Sequence, residues 1–190
     1  MTTVITGASG FLGSRMARLL AARGEKVVMC DMVAPAQVPA GCVSLVGDLD
    51  ATVEEAITAD TKAVVHLAAV VSSGAELDFD LGYRVNVDGL TRLLERCRSA
   101  PRAPPKVLFT SSLAVFGAVP FATDASPTTP SNSYGTQKAL GELLINDYSR
   151  KGFVDGRTVR LPTISIRPGA PNAAAYRGMI ASSTGRTARW

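Results

Sequence analysis

Short apolar runs alternate with helical spacings from the first residues of the chain onward. Thr2–Thr6 is short, apolar and rich in strand-forming residues, and Phe11–Arg23 carries Leu12, Met16, Leu19 and Leu20 at helical intervals, with Gly24 as a stop. Lys26–Asp31 reads as a second buried strand closed by an acid, and Ala34–Gly41 as a Pro/Ala loop. Val43–Val46 follows as a third strand, Thr52–Ala59 as a short helix and Ala63–Leu67 as a fourth strand. Leu81–Arg98 has the pattern of one long amphipathic helix, with Val85, Val87, Leu90, Leu93 and Leu94 along its buried side. Lys106–Thr110 is a fifth strand, and Val119–Asn132, rich in Pro, Thr and Ser, a surface loop. Ser133–Lys151 is a helix ended by Gly152, and Thr158–Ile166 a sixth strand that would hold Pro162. Strands that are apolar throughout need cover on both faces, and the alternating helices supply it. The pattern therefore predicts an α/β fold with a doubly wound parallel sheet.

Composition narrows this picture. No run of eighteen or more apolar residues occurs, so no membrane span is expected, and MTTVITGASG does not read as a signal peptide. A cytoplasmic location is the default expectation. Cys30, Cys42 and Cys97 are odd in number and widely spaced, which fits reduced thiols better than a disulfide or zinc framework. The net charge of +4 is misleading: six arginines lie beyond Asp155 with no acid among them, which leaves residues 1–156 at −2. No clustered basic face is implied, and no nucleic-acid partner is expected.

The candidate chemistry begins at Gly7-Ala8-Ser9-Gly10-Phe11-Leu12-Gly13, between the first strand and the first helix. In that context Gly7 permits a tight turn, Gly10 lets a pyrophosphate approach the backbone, and Gly13 lets helix and sheet pack closely. The helix N-terminus then offers free N–H groups to phosphate. Asp31, at the end of the second strand, can accept both adenosine ribose hydroxyls and would repel a 2′-phosphate. Met32, Val33 and Ala34 include no arginine to receive one, so NAD is expected rather than NADP.

Tyr134 and Lys138 stand four residues apart at the start of a helix, on one face. A tyrosine with an ordinary pKa near 10 is a poor base at neutral pH, and a neighbouring ammonium favours its phenolate. The fifth strand runs into Thr110-Ser111-Ser112, at the carboxyl edge where ligands of such sheets bind. A serine there can hydrogen-bond a substrate hydroxyl, although strand-end capping would explain Ser111 or Ser112 equally well. The lone His66 is read as structural, and no metal is expected.

These residues together resemble the extended short-chain dehydrogenase/reductases, the group that also holds nucleotide-sugar epimerases and dehydratases. The resemblance rests on TGASGFLG at 6–13, Asp31, GDL at 47–49, HLAA at 66–69, Asn86, TSSLAVFG at 110–117 and YGTQK at 134–138. It implies that Asp48 and Leu49 flank the adenine and that Leu67, Ala68 and Ala69 lie by the nicotinamide ribose. It also implies that Asn86 supports the catalytic helices beside the cofactor, and that Pro162 is a further cofactor contact. Ser112, four residues before Phe116 where the family usually has Tyr, matches the catalytic Ser/Thr. A narrower resemblance, to the D-erythronate dehydrogenase group, rests on HLAAVVS at 66–72, DFDLGYRVNVDG at 78–89, the run at 133–157 and RLPTISIRPGAPNAAA at 160–175. It implies oxidation of a sugar acid at C2 with NAD, with Ser72, Ser111, Ser112 and Tyr134 as substrate contacts.

The resemblance implies a homodimer through the helices at 81–98 and 133–151. The expected domains are a cofactor domain over 1–170 and an atypical tail over 171–190, the remnant of a substrate domain. From Tyr176 the likeness stops, as a truncated or frame-shifted reading would produce. Two alternatives stay open: a nucleotide-sugar epimerase on the same scaffold, and an NAD-binding fragment without turnover. A dehydratase is disfavoured, because Leu113 and Ala114 occupy positions where one usually carries an acid.

Overall fold

Six parallel strands form one sheet in the order β3-β2-β1-β4-β5-β6, as the computed structural model describes it over residues 1–123 and 125–162. The strands are β1 (Thr2–Thr6), β2 (Lys26–Asp31), β3 (Cys42–Val46), β4 (Thr61–His66), β5 (Lys106–Ser112) and β6 (Asp155–Leu161). The order reverses between β1 and β4. Such a switch point opens a crevice at the carboxyl ends of the strands. The doubly wound Rossmann architecture expected from the alternation is therefore the one observed.

The two faces are covered differently. One packs α2 (Leu49–Ala56), α5 (Gly89–Ser99) and α6 (Ser133–Arg150) over Val4, Val64, Val107 and Phe109. The other packs α1 (Phe11–Ala22) over Ile5, Val27 and Met29. Within α1 Gly13 and Ala17 are buried, Met16 and Leu20 of the expected stripe pack half-buried against the same core, and only Leu19 of that stripe is exposed. Small residues face the strands because this helix lies so close to them.

Local chemistry shifts several boundaries. α2 begins at Leu49 rather than Thr52, because Asp48 caps it by accepting from Ala51 N–H at 2.7 Å. The long helix expected over 81–98 is interrupted. α3 (Ser72–Leu77) and α4 (Phe79–Tyr83) precede a π-helical turn at Arg84–Asp88, and α5 starts only at Gly89. β6 starts three residues earlier than expected, at Asp155, and ends at Leu161, before Pro162, which has no N–H for the ladder. The expected strand end at 163–166 and the expected tail at 171–190 lie outside the described residues. No helix among the described residues is long and apolar enough to cross a membrane.

Candidate active site

The glycine turn is built by close backbone approach. Gly7 has φ +68°, and a Cβ there would stand 2.7 Å from Ala68 N and 2.9 Å from the Leu67 carbonyl carbon. A Cβ at Gly13 would stand 2.6 Å from Ala8 Cα and closer still to the Gly7 carbonyl. Gly7 and Gly13 are thus required by packing, which brings the turn against the Leu67-Ala68-Ala69 segment. Thr6 stitches the two together: its hydroxyl accepts from Ala68 N–H at 3.3 Å, and its carbonyl accepts from Leu67 N–H at 3.1 Å.

Gly10 is the N-cap of α1, with no side-chain cap and no acid in the first turn. Phe11 and Leu12, half-buried, open that turn, and Arg15 lies over the Phe11 ring. An uncapped helix start of this kind suits a phosphate. Asp31 reaches back to the same place. Its two oxygens accept from Ser9 N–H at 2.9 Å and Val33 N–H at 3.1 Å. The carboxylate therefore sits beside the turn at the carboxyl end of β2. A cradle that no Cβ fits, an uncapped helix and a carboxylate at its rim match what a dinucleotide needs.

The expected adenine neighbours are partly committed elsewhere. The Asp48 side chain caps α2, and Leu49 packs inward, with Gly89 leaving space for its Cδ2. Asn86 departs further from expectation as a cofactor contact. It is 3% exposed, its Oδ1 accepts from Val70 N–H at 2.8 Å, and its Nδ2 donates to Val70 O at 2.9 Å and to Gln137 Oε1 at 2.7 Å. Both ends of the amide are occupied, so its work is to tie the strand-end loop to α6. Asn86 falls on the same buried stripe as Gly82, Leu90, Leu93 and Cys97, within the π-turn.

Tyr134 and Lys138 lie one turn apart at the start of α6, which Asn132 caps through Gly135 N–H at 2.8 Å. Lys138 is 3% exposed, and its ammonium stands 4.8 Å from the Phe109 ring centre and 5.7 Å from that of Tyr134. Burial pulls its pKa down to about 8. His66, whose ring lies near Phe109, is held neutral by burial and by the Lys138 charge, its pKa brought down to about 3. Its Nδ1 meets the Thr6 hydroxyl at 2.8 Å, in keeping with a structural histidine.

The two candidate serines part company. Ser111 is buried, and its hydroxyl donates to Glu142 Oε1 at 2.6 Å. Ser112 ends β5 and caps the 3₁₀ turn Leu113–Phe116, accepting from Ala114 N–H at 3.2 Å. That turn lies directly on α6, where a Cβ at Gly135 would press on the Ala114 carbonyl. Ser112 is therefore the serine nearer the Tyr134 end of the helix. Ser72 is exposed at the start of α3, and Pro162 is exposed just past β6.

Three participants escaped the sequence reading. Gln137 receives Asn86 from within the YGTQK run, while Glu142 and Arg160 form a half-buried pair at 2.6 Å. The signal for Glu142 was present: it stands one further turn along α6 from Lys138, on the same stripe as Tyr134. Burial alone would raise its pKa, but hydrogen bonds from Arg160 and Ser111 outweigh burial and hold it below the ordinary value.

Comparison with known proteins agrees with this architecture. Residues 3–183 match the model of the NAD dependent epimerase/dehydratase family. The chain is 52% identical to a D-erythronate dehydrogenase of Cupriavidus necator, over 92% of this chain and 59% of that protein. It is 49% identical to a D-erythronate dehydrogenase of Haemophilus influenzae, over 92% of this chain and 58% of that protein. Among solved structures, a nucleoside-diphosphate-sugar epimerase of Agrobacterium tumefaciens superposes with a TM-score of 0.81 at 43% identity, covering 92% of this chain and 56% of that one. UDP-glucose 4-epimerase of Thermus thermophilus, solved in complex with NAD, gives a TM-score of 0.75 at 31% identity, covering 84% and 54%. The chain thus spans less than two thirds of the length of these relatives.

Proposed function

From the premise that this chain belongs to the NAD dependent epimerase/dehydratase family, we propose that it carries the cofactor half and the catalytic residues of an NAD-dependent dehydrogenase acting on a sugar acid, D-erythronate. The observation that carries the reading is the Tyr134–Lys138 pair, with a buried ammonium 5.7 Å from the phenol ring, at the carboxyl edge of the sheet. The substrate is taken from the two relatives named D-erythronate dehydrogenase.

The Gly7–Gly13 turn and the uncapped start of α1 would hold NAD, with Asp31 at the adenosine ribose. When bound, the oxidised nicotinamide supplies the acceptor for hydride and a positive charge. The Tyr134 oxygen takes the proton of the C2 hydroxyl as the carbonyl forms. Lys138 favours the phenolate through its charge and would hold the nicotinamide ribose. Ser112 orients the substrate hydroxyl. A general base placed in this way typically contributes about 10²–10⁴-fold. A homodimer through α5 and α6 belongs to the same reading.

The epimerases among the structural relatives supply a second reading, in which the cofactor is retained and a nucleotide sugar is turned over. The two separate on product: free NADH accumulates only in the first. The test is NADH production from D-erythronate and NAD by this chain beside Tyr134→Phe. Turnover that falls by at least about 10²-fold in the variant supports Tyr134 as the base. Equal turnover by both removes it, and absence of turnover by the parent, with NADH still bound, sinks the dehydrogenase reading for this chain.

A further inference from the structure

Strand register brings together a group of side chains behind the catalytic helix. Ser111 of β5 is the direct partner of Arg160 of β6, so both side chains leave the sheet on the face that α6 covers. There they meet Glu142. Its Oε1 accepts from the Ser111 hydroxyl at 2.6 Å and from Arg160 Nε at 2.9 Å, and its Oε2 accepts from Arg160 Nη2 at 2.6 Å. The Arg160 guanidinium also lies 4.7 Å from the centre of the buried Phe116 ring. Ser111 precedes the Ser112 turn and Phe116 closes it. The group therefore grips both ends of that turn while being anchored one helical turn beyond Lys138.

We propose that Glu142 and Arg160 are positioning residues that clamp the Ser112 turn against the Tyr134–Lys138 helix and so fix the spacing of the reacting groups. The inference rests on the dehydrogenase reading for its catalytic consequence, and on the geometry alone for the clamp. A fork-shaped Arg–carboxylate contact suits this use, because two parallel hydrogen bonds fix angle as well as distance. Glu142 does not act by tuning Lys138, whose lowered pKa follows from burial.

The test is hydrogen exchange on the full chain, with steady-state kinetics in parallel. Glu142→Gln keeps the size of the side chain and an oxygen for Ser111 while weakening the Arg160 fork. Exchange over residues 113–117 is expected to quicken about tenfold while β1 and the glycine turn stay within about twofold. kcat on D-erythronate is expected to fall about 30-fold, with the NADH Kd within about twofold. Arg160→Lys, which keeps the charge without the fork, should fall between parent and Glu142→Gln. Should Glu142→Gln not fold, Ser111→Ala removes one hydroxyl only and should still quicken exchange over 113–117 by about threefold. Unchanged exchange there, or equal quickening throughout the chain, overturns the clamp. A loosened turn with kcat unchanged overturns the positioning role. A parent without turnover overturns the dehydrogenase reading, while the exchange pattern still decides the clamp.

Discussion

Lys138 shows how burial shapes one side chain's chemistry. An ordinary lysine titrates at 10.5, and burial brings this one down to about 8. Between these values the unfolded chain holds a proton that the folded chain has released, so unfolding takes up a proton and stability rises with pH. The buried cation thus weakens the fold most below pH 8, and the penalty lifts as pH climbs through the window to 10.5. Denaturant titrations of the parent and of Lys138→Met across that range should show the parent gaining on the variant. Parallel pH dependences would contradict a buried, depressed Lys138. Much of this was legible: the Tyr134–Lys138 spacing announces the pair. The nearness of Phe109, which excludes water and solvates the ammonium with its ring, is set by strand register and is invisible in spacing.

At the scale of elements, Asn86 ties the strand-end loop to α6 from within the π-turn. Asn86→Ala leaves the Val70 backbone groups and the Gln137 amide without their partner in a buried place. Each unsatisfied group costs about 1–3 kcal/mol, so a loss of about 2–4 kcal/mol is expected in urea unfolding. A loss below about 0.5 kcal/mol would mean that water replaces the amide freely. Sequence periodicity could not reveal this turn, because an inserted residue leaves the apolar residues on either side in helical spacing. β1 and β2 were legible to the residue, since buried parallel strands are apolar throughout. β6 was displaced for the opposite reason. Its opening Asp155-Gly156-Arg157 is polar, as the outermost strand among the described residues tolerates, and backbone pairing with Lys106–Leu108 rather than burial recruits it. α2 was also readable in hindsight, since Asp48 lies three residues before Ala51, the spacing of an N-cap.

At the scale of the molecule, the sheet protects its thiols unequally. Cys30 on β2 and Cys97 on α5 are each 1% exposed in the same core, where burial pushes both thiols up to about 12. Cys42, half-buried at the start of edge strand β3, has a smaller upward shift with the same cause. Thiolates are the reacting species, so a thiol reagent should modify Cys42 in the native protein and the other two only on global unfolding. Mass spectrometry of the labelled peptides checks this, and rapid native labelling of Cys97 would mean that α5 opens independently. The fold class itself followed from alternation, because covering both faces of an apolar sheet leaves few arrangements. The tilt of each helix on the sheet was not available in that way. It depends on small residues such as Ala17 and Gly135, whose spacing, unlike that of Gly13 in the glycine turn, resembles that of any surface position.

The Asp31 carboxylate, with its two oxygens on Ser9 and Val33 N–H, bears on how readily such a protein changes coenzyme. Replacing the acid with a neutral or basic residue would remove the repulsion of a 2′-phosphate. It would also cut the Ser9 N–H anchor that holds the glycine turn to β2, next to Gly10, and the Val33 N–H bond that shapes the loop after β2. Preference and loop shape are thus written in a single side chain. A lineage drifting toward the phosphorylated coenzyme would pass through a loosened turn unless compensating residues at 9 and 33 arrived first.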